Sequence, residues 1–105
     1  MQLSRTEAIR AALANGSGLY GQTSITGAAT AAPVNASTST VSHGVAVKAL
    51  SSNTDTVWVG FDASTAAGTG LELNPGEGVT LKIDQLAKVF AYAATGTQKI
   101  SYVAT

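Results

Sequence analysis

The chain has 105 residues, with six Lys and Arg against six Asp and Glu, one histidine and no cysteine. Zero formal charge removes any general electrostatic drive toward nucleic-acid phosphates or an anionic membrane surface, and the lack of thiols removes disulfides and thiolate metal sites. Charged residues make up 11% of the sequence, against about a quarter in ordinary soluble domains.

Such a surface, rich in Thr, Ser, Ala and Gly, offers little repulsion between copies and suits a protein packed against neighbours. A monomer hydrated through its hydroxyls is the plainer alternative. The length fits one small domain. No apolar run approaches the roughly 18 residues of a membrane span. Met1–Glu7 lack the apolar core of a signal peptide, so the expectation is synthesis and retention in the cytoplasm until another structure carries the chain out.

The N-terminal stretch, 1–43, reads as an extended arm. Ser4 and Glu7 have capping-box spacing, Ile9 and Leu13 are four apart, and Gly16 can stop a helix. Ser4–Asn15 could therefore form a short helix, or fray, since a helix of this length needs a partner. Gly16–Thr40 is low in complexity, with Leu19, Tyr20, Ile25 and Val34 its only sizeable apolar residues. These are too few to offset about 1–2 kcal/mol per residue of backbone ordering. The stretch is either a disordered linker or a segment ordered by another surface, with Tyr20 and Ile25 as anchors.

From Gly44 the pattern becomes that of an all-β domain, 44–105. Val45, Val47 and Ala49 alternate with Ala46 and Lys48, and Val57, Val59 and Phe61 with Trp58 and Gly60. Asn53-Thr54-Asp55 separates these two strands. Leu71–Leu73 is a short third strand. Asn74-Pro75-Gly76-Glu77 meets the requirements of a type II turn. Val79, Leu81 and Ile83 mark a fourth strand, Lys88–Ala93 a fifth, and Lys99–Val103 a last one after a turn at Thr95-Gly96-Thr97. Turns about every 10 residues without intervening helices point to a small antiparallel β-sandwich or jelly-roll-like fold.

Two strands carry large apolar groups on both faces: Val57, Val59 and Phe61 oppose Trp58, and Val89 opposes Phe90 and Tyr92. A sheet with one solvated face does not do this, so the arm or a neighbouring subunit should cover the second face. A domain of about 60 residues buries only about 60% of its unfolded surface, and association would add to that.

No residue set carries chemistry. His43 has no second histidine or carboxylate cluster beside it, so it reads as structural or solvent-exposed, not as a metal ligand. Asp62 precedes Ala63-Ser64-Thr65 and reads as a turn cap. A Ca²⁺ site from Asp55, Asp62 and carbonyls lacks any loop motif. The serines lack a base and a nucleophile elbow, and Gly68-Thr69-Gly70 lacks the ending of a phosphate loop. The chain reads as neither an enzyme nor a cofactor or metal protein. Trp58, Phe90, Tyr92 and Tyr102 could form a sugar-stacking platform, although aromatics at alternating strand positions more often serve core or interface. The candidate interface residues are Ile9, Leu13, Tyr20, Ile25, Trp58, Phe90 and Tyr92.

The segments Gly44–Ala49, Ser52-Asn53-Thr54-Asp55-Thr56-Val57-Trp58-Val59-Gly60, Leu73–Leu81 with its Pro75-Gly76-Glu77, and Lys88–Tyr92 together resemble small virion structural proteins of tailed bacteriophages, the capsid decoration (cement) and head accessory proteins. The resemblance spans the second half of the chain; nothing in the N-terminal part carries it. It implies a sandwich or jelly-roll module on the capsid exterior, commonly a homotrimer, with an arm reaching adjacent subunits and the major capsid protein as partner. The function it implies is stabilisation of the head, without nucleic-acid or membrane binding. The alternative is a tail or head-fibre module that binds host carbohydrate or a receptor.

Overall fold

The computed structural model describes residues 19–27 and 29–105. The helix expected over Ser4–Asn15, with Ile9 and Leu13, lies outside them. The described chain is all-β: β1 (Leu19–Thr26), β2 (Ala32–Pro33), β3 (Val45–Ala49), β4 (Val57–Gly60), β5 (Leu71–Leu73), β6 (Gly78–Leu81), β7 (Phe90–Ala93) and β8 (Thr97–Ala104), with one 3₁₀ turn at Leu86–Lys88.

Two antiparallel four-stranded sheets form the sandwich, in the orders β1-β8-β3-β6 and β2-β7-β4-β5. Every connection between successive strands passes from one sheet to the other except β4–β5, which stays within its sheet. The core is therefore stitched by the chain itself many times over.

The alternation read from the sequence sets the core. Val45, Val47 and Ala49 of β3, Val57 and Val59 of β4, Ala91 of β7, and Ile100, Tyr102 and Ala104 of β8 are buried between the sheets. β-branched side chains suit this half-buried pleated surface. The ends are closed by residues outside the strands: Val34, Val41, Leu86 and Val89. Leu86, on the 3₁₀ turn, is fully buried. That turn occupies the start of the fifth expected strand, so β7 begins at Phe90 and not at Lys88.

Two glycines hold backbone that side chains would not tolerate. The type II turn forms as expected: the Glu77 N–H donates to the Asn74 carbonyl at 2.9 Å and Gly76 has φ +89°. The Glu77 carboxylate also accepts from the Asn74 N–H at 2.7 Å. Gly44, which opens β3, has φ +114°, and a Cβ there would collide with the Leu81 carbonyl oxygen.

Residues 19–43 differ from their expectation as part of an arm. β1 pairs with β8 along its whole length, from Leu19 opposite Ala104 to Thr26 opposite Thr97. β2 pairs with β7, Val34 and Val41 are buried, and the Asn35 amide donates to the Tyr102 hydroxyl at 2.8 Å. The surface that orders this stretch is the chain's own sandwich. Phe61 also differs: β4 ends at Gly60, so Phe61 leaves the core-facing row and is exposed.

Leu86→Ala should lower the free energy of unfolding by about 2–5 kcal/mol, the range for emptying a fully buried leucine site. Urea denaturation followed by the fluorescence of the single tryptophan, Trp58, reads this directly.

Candidate functional site

Three features of the described surface could engage a partner, and one buried network ties the turn before β4 to β8. The network starts at Gln98, the first inward residue of β8 and 1% exposed. Its Oε1 accepts from the backbone N–H groups of Thr54 at 2.9 Å and Asp55 at 3.2 Å. Its Nε2 donates to the Thr95 carbonyl at 3.0 Å and to the Thr54 hydroxyl at 3.2 Å. Beside it, Asn53 pairs with Lys99 as a strand residue would. Its amide donates to the Lys99 carbonyl at 2.8 Å and its oxygen accepts from the Lys99 N–H at 2.8 Å. The 53–55 turn, and with it the entry to β4, is thus tied to β8. A buried glutamine with every group satisfied is costly to disturb.

Asp55 completes the turn. It accepts from the Thr95 hydroxyl at 2.6 Å and from the Thr56 N–H at 2.8 Å. These bonds, the Thr95 one foremost, hold its carboxyl below its ordinary value while desolvation opposes them. Asp84 is held low mainly by its hydrogen bond with Lys88, at 2.7 Å.

The first surface feature is an aromatic face. Trp58 and Tyr92 are cross-strand partners, and Phe90 sits opposite Gly60 on one side and Pro33 on the other. All three rings lie on the outer face of the β2-β7-β4-β5 sheet and are half-buried. The Trp58 and Tyr92 ring centroids are 6.0 Å apart with planes inclined at 53°, a tilted pair and not a flat shelf. Tyr102, grouped with them by sequence, is elsewhere. It is buried between the sheets, with its hydroxyl close over Gly21, where a Cβ would stand 2.9 Å from it.

The second feature was not legible in the sequence. At the β5/β6 side of the sandwich lies an open cleft of about 450 Å³, walled by Val59, Phe61, Leu71 and Leu81 and rimmed by Asp62 and Thr65. Phe61 is 61% and Leu71 49% exposed. The 61–70 loop is folded against β4 through Thr65, which is buried and donates to the Asp62 carbonyl at 2.7 Å. Gly60 permits this, since a Cβ on it would strike the Thr65 hydroxyl. Asp62 caps the loop by accepting from the Ser64 N–H at 2.9 Å. The usable signal was Gly60 and Gly70 bracketing a small-residue loop.

The third feature is β1. Tyr20 points outward and is 61% exposed, whereas Ile25 is half-buried and packs against the core. Of the two expected anchors among the described residues, Tyr20 is thus presented to a partner and Ile25 is not.

His43 is exposed, its N–H donating to the Thr105 carbonyl. Among the described residues no three His, Asp or Glu side chains converge, and no helix is long and apolar enough to cross a membrane. Comparison with protein-family models, with curated proteins and with solved structures found no match.

Gln98→Ala should cost about 2–3 kcal/mol, because it strands buried N–H groups of Thr54 and Asp55; chemical denaturation measures it. A carboxyl whose folded pKa is depressed contributes stability above the ordinary carboxylate range and loses it as the pH falls. The wild-type Tm should therefore drop as the pH falls below about 4. Asp55→Asn should flatten part of that drop, with Asp84 accounting for a further part.

Proposed function

We propose that the chain is a structural virion protein of the capsid decoration type, which stabilises a bacteriophage head by binding across capsid subunits. The observation that carries this reading is the cleft at Phe61 and Leu71. It is an open apolar surface within a chain of only 11% charged residues. A surface of this kind binds by burying apolar area, at about 25 cal/mol per Å² before the entropy of association is charged. The sequence segments that resemble phage decoration proteins also build this sandwich: β3, the turn pinned by Gln98, β4, the Pro75-Gly76 turn and β7.

The residues before Leu19 remain an arm in this reading, carrying Ile9 and Leu13 toward the shell. The part of the expected arm from Leu19 onward belongs to the sandwich, so a truncation at Gly44 would remove β1 and β2 and would not isolate the arm.

A carbohydrate- or receptor-binding module is the second reading. Trp58, Phe90 and Tyr92 on one outer sheet face favour it, while the tilt between Trp58 and Tyr92 weighs against stacking on a flat sugar ring.

Cosedimentation of the full chain with capsid shells of a host phage lacking its decoration protein separates the two. Attachment should be saturable and should weaken at least tenfold with Phe61→Ser combined with Leu71→Ser. Such exposed substitutions should change stability by no more than about 0.5 kcal/mol each. Failure to attach, together with quenching of Trp58 fluorescence by host polysaccharide, would replace the first reading with the second.

A further inference from the structure

A sandwich of two open sheets has four edge strands: β1, β6, β2 and β5. Edge strands are normally guarded by shortness, charge, proline or a bulge. β2 is two residues long and contains Pro33. β5 is three residues long with Glu72 at its centre, so self-pairing would set two carboxylates against each other. β6 is four residues long and begins at Gly78.

β1 has none of these guards. It is eight residues long, Leu-Tyr-Gly-Gln-Thr-Ser-Ile-Thr, without charge or proline. Its register with β8 advances one for one, so no bulge turns it away. Among the described residues no strand pairs with its outer side.

We infer that β1 is a self-association edge: two copies pair β1 against β1 in antiparallel fashion, joining two four-stranded sheets into one continuous sheet of order β6-β3-β8-β1-β1-β8-β3-β6. Residues directly opposite in an antiparallel pair point to the same face. A two-fold axis perpendicular to the sheet therefore passes between identical residues. An axis at Thr23 sets Ile25 against Gly21 of the second copy and loses apolar contact. An axis at Gln22 sets Leu19 against Ile25 of the second copy, and both of these are half-buried inward residues packed on the core. The Gln22 register thus extends the two cores into one another.

On the outer face, this register places the exposed Tyr20 opposite Ser24 of the second copy. Ser24 is small and is itself paired with Lys99. The Tyr20 ring can lie across it toward that lysine. The zero charge of β1 decides for a second copy over a charged segment, because nothing on the edge selects a charged partner and nothing repels an identical strand. The pairing is two-fold, in place of the three-fold expected from the resemblance, and it does not depend on attachment to a capsid.

Gln22 is exposed on the outer face, so replacing it leaves the sandwich intact; urea denaturation followed by Trp58 fluorescence verifies this for each variant. Sedimentation equilibrium of the full chain should show a dimer. Gln22→Lys should raise its dissociation constant at least tenfold by setting like charges face to face, and mixing the Gln22→Lys and Gln22→Glu proteins should restore dimers. Because the chain has no cysteine, Gln22→Cys should form a covalent dimer on mild oxidation, whereas Thr80→Cys on β6 should not. A monomeric full chain, an oligomer unaffected by Gln22→Lys, or cross-linking through Thr80→Cys in preference to Gln22→Cys would each overturn the proposal. A wild-type chain that attaches to shells yet stays monomeric in solution would overturn it without touching the decoration reading.

Discussion

The sandwich depends on β8. It is held on both sides by antiparallel partners, β1 along its full length and β3 over Ile100–Ala104. At its start, Gln98 and the Lys99 backbone grip the 53–55 turn through side-chain bonds that substitute for a strand. At its end, Tyr102 supports the 34–37 segment through Asn35, and Thr105 is bonded to His43 and Gly44. A small core gains little from area alone. Here satisfied polar groups at both ends of one strand fix where the second sheet begins and how the first closes.

Much of the fold was legible because the second half of the chain obeys local rules. β3 and β5 fall where period-two alternation put them, β4 does so up to Gly60, and Pro75-Gly76 forms the turn that its chemistry demands. β1 was not legible for a physical reason. Its inward positions are Leu19, Gly21, Thr23 and Ile25. Gly21 is small because the Tyr102 hydroxyl fills the space above it. A strand whose core contribution comes partly from a side chain on its neighbour shows no apolar alternation of its own, so tertiary packing overrode the local signal. Tyr102 was misplaced by the same exchange: its ring completes β1 instead of joining the outer aromatics.

Surface features were less legible than the framework. The grouping of Trp58, Phe90 and Tyr92 followed from strand parity alone, and the structure sets them on one sheet face. Phe61 defeated the same rule because β4 stops one residue before it. The stop is enforced by Thr65 closing over Gly60, a contact between a loop and a strand that no periodicity encodes. The cleft at Leu71 and Leu81 draws its walls from β4, the 61–70 loop, β5 and β6, and apart from the glycines that bracket the loop it has no signature in any one stretch.

The full-length pairing of β1 with β8 also fixes the geography of attachments. Leu19 and Ala104 are neighbours, so whatever precedes the first strand and whatever follows the last emerge at one corner. The Gly96 turn, which leads from β7 in one sheet to β8 in the other, lies at the opposite end, about 24 Å away by strand rise. A dye, affinity handle or surface linker placed at that turn would leave the corner unobstructed, while one fused behind Thr105 would emerge beside Leu19.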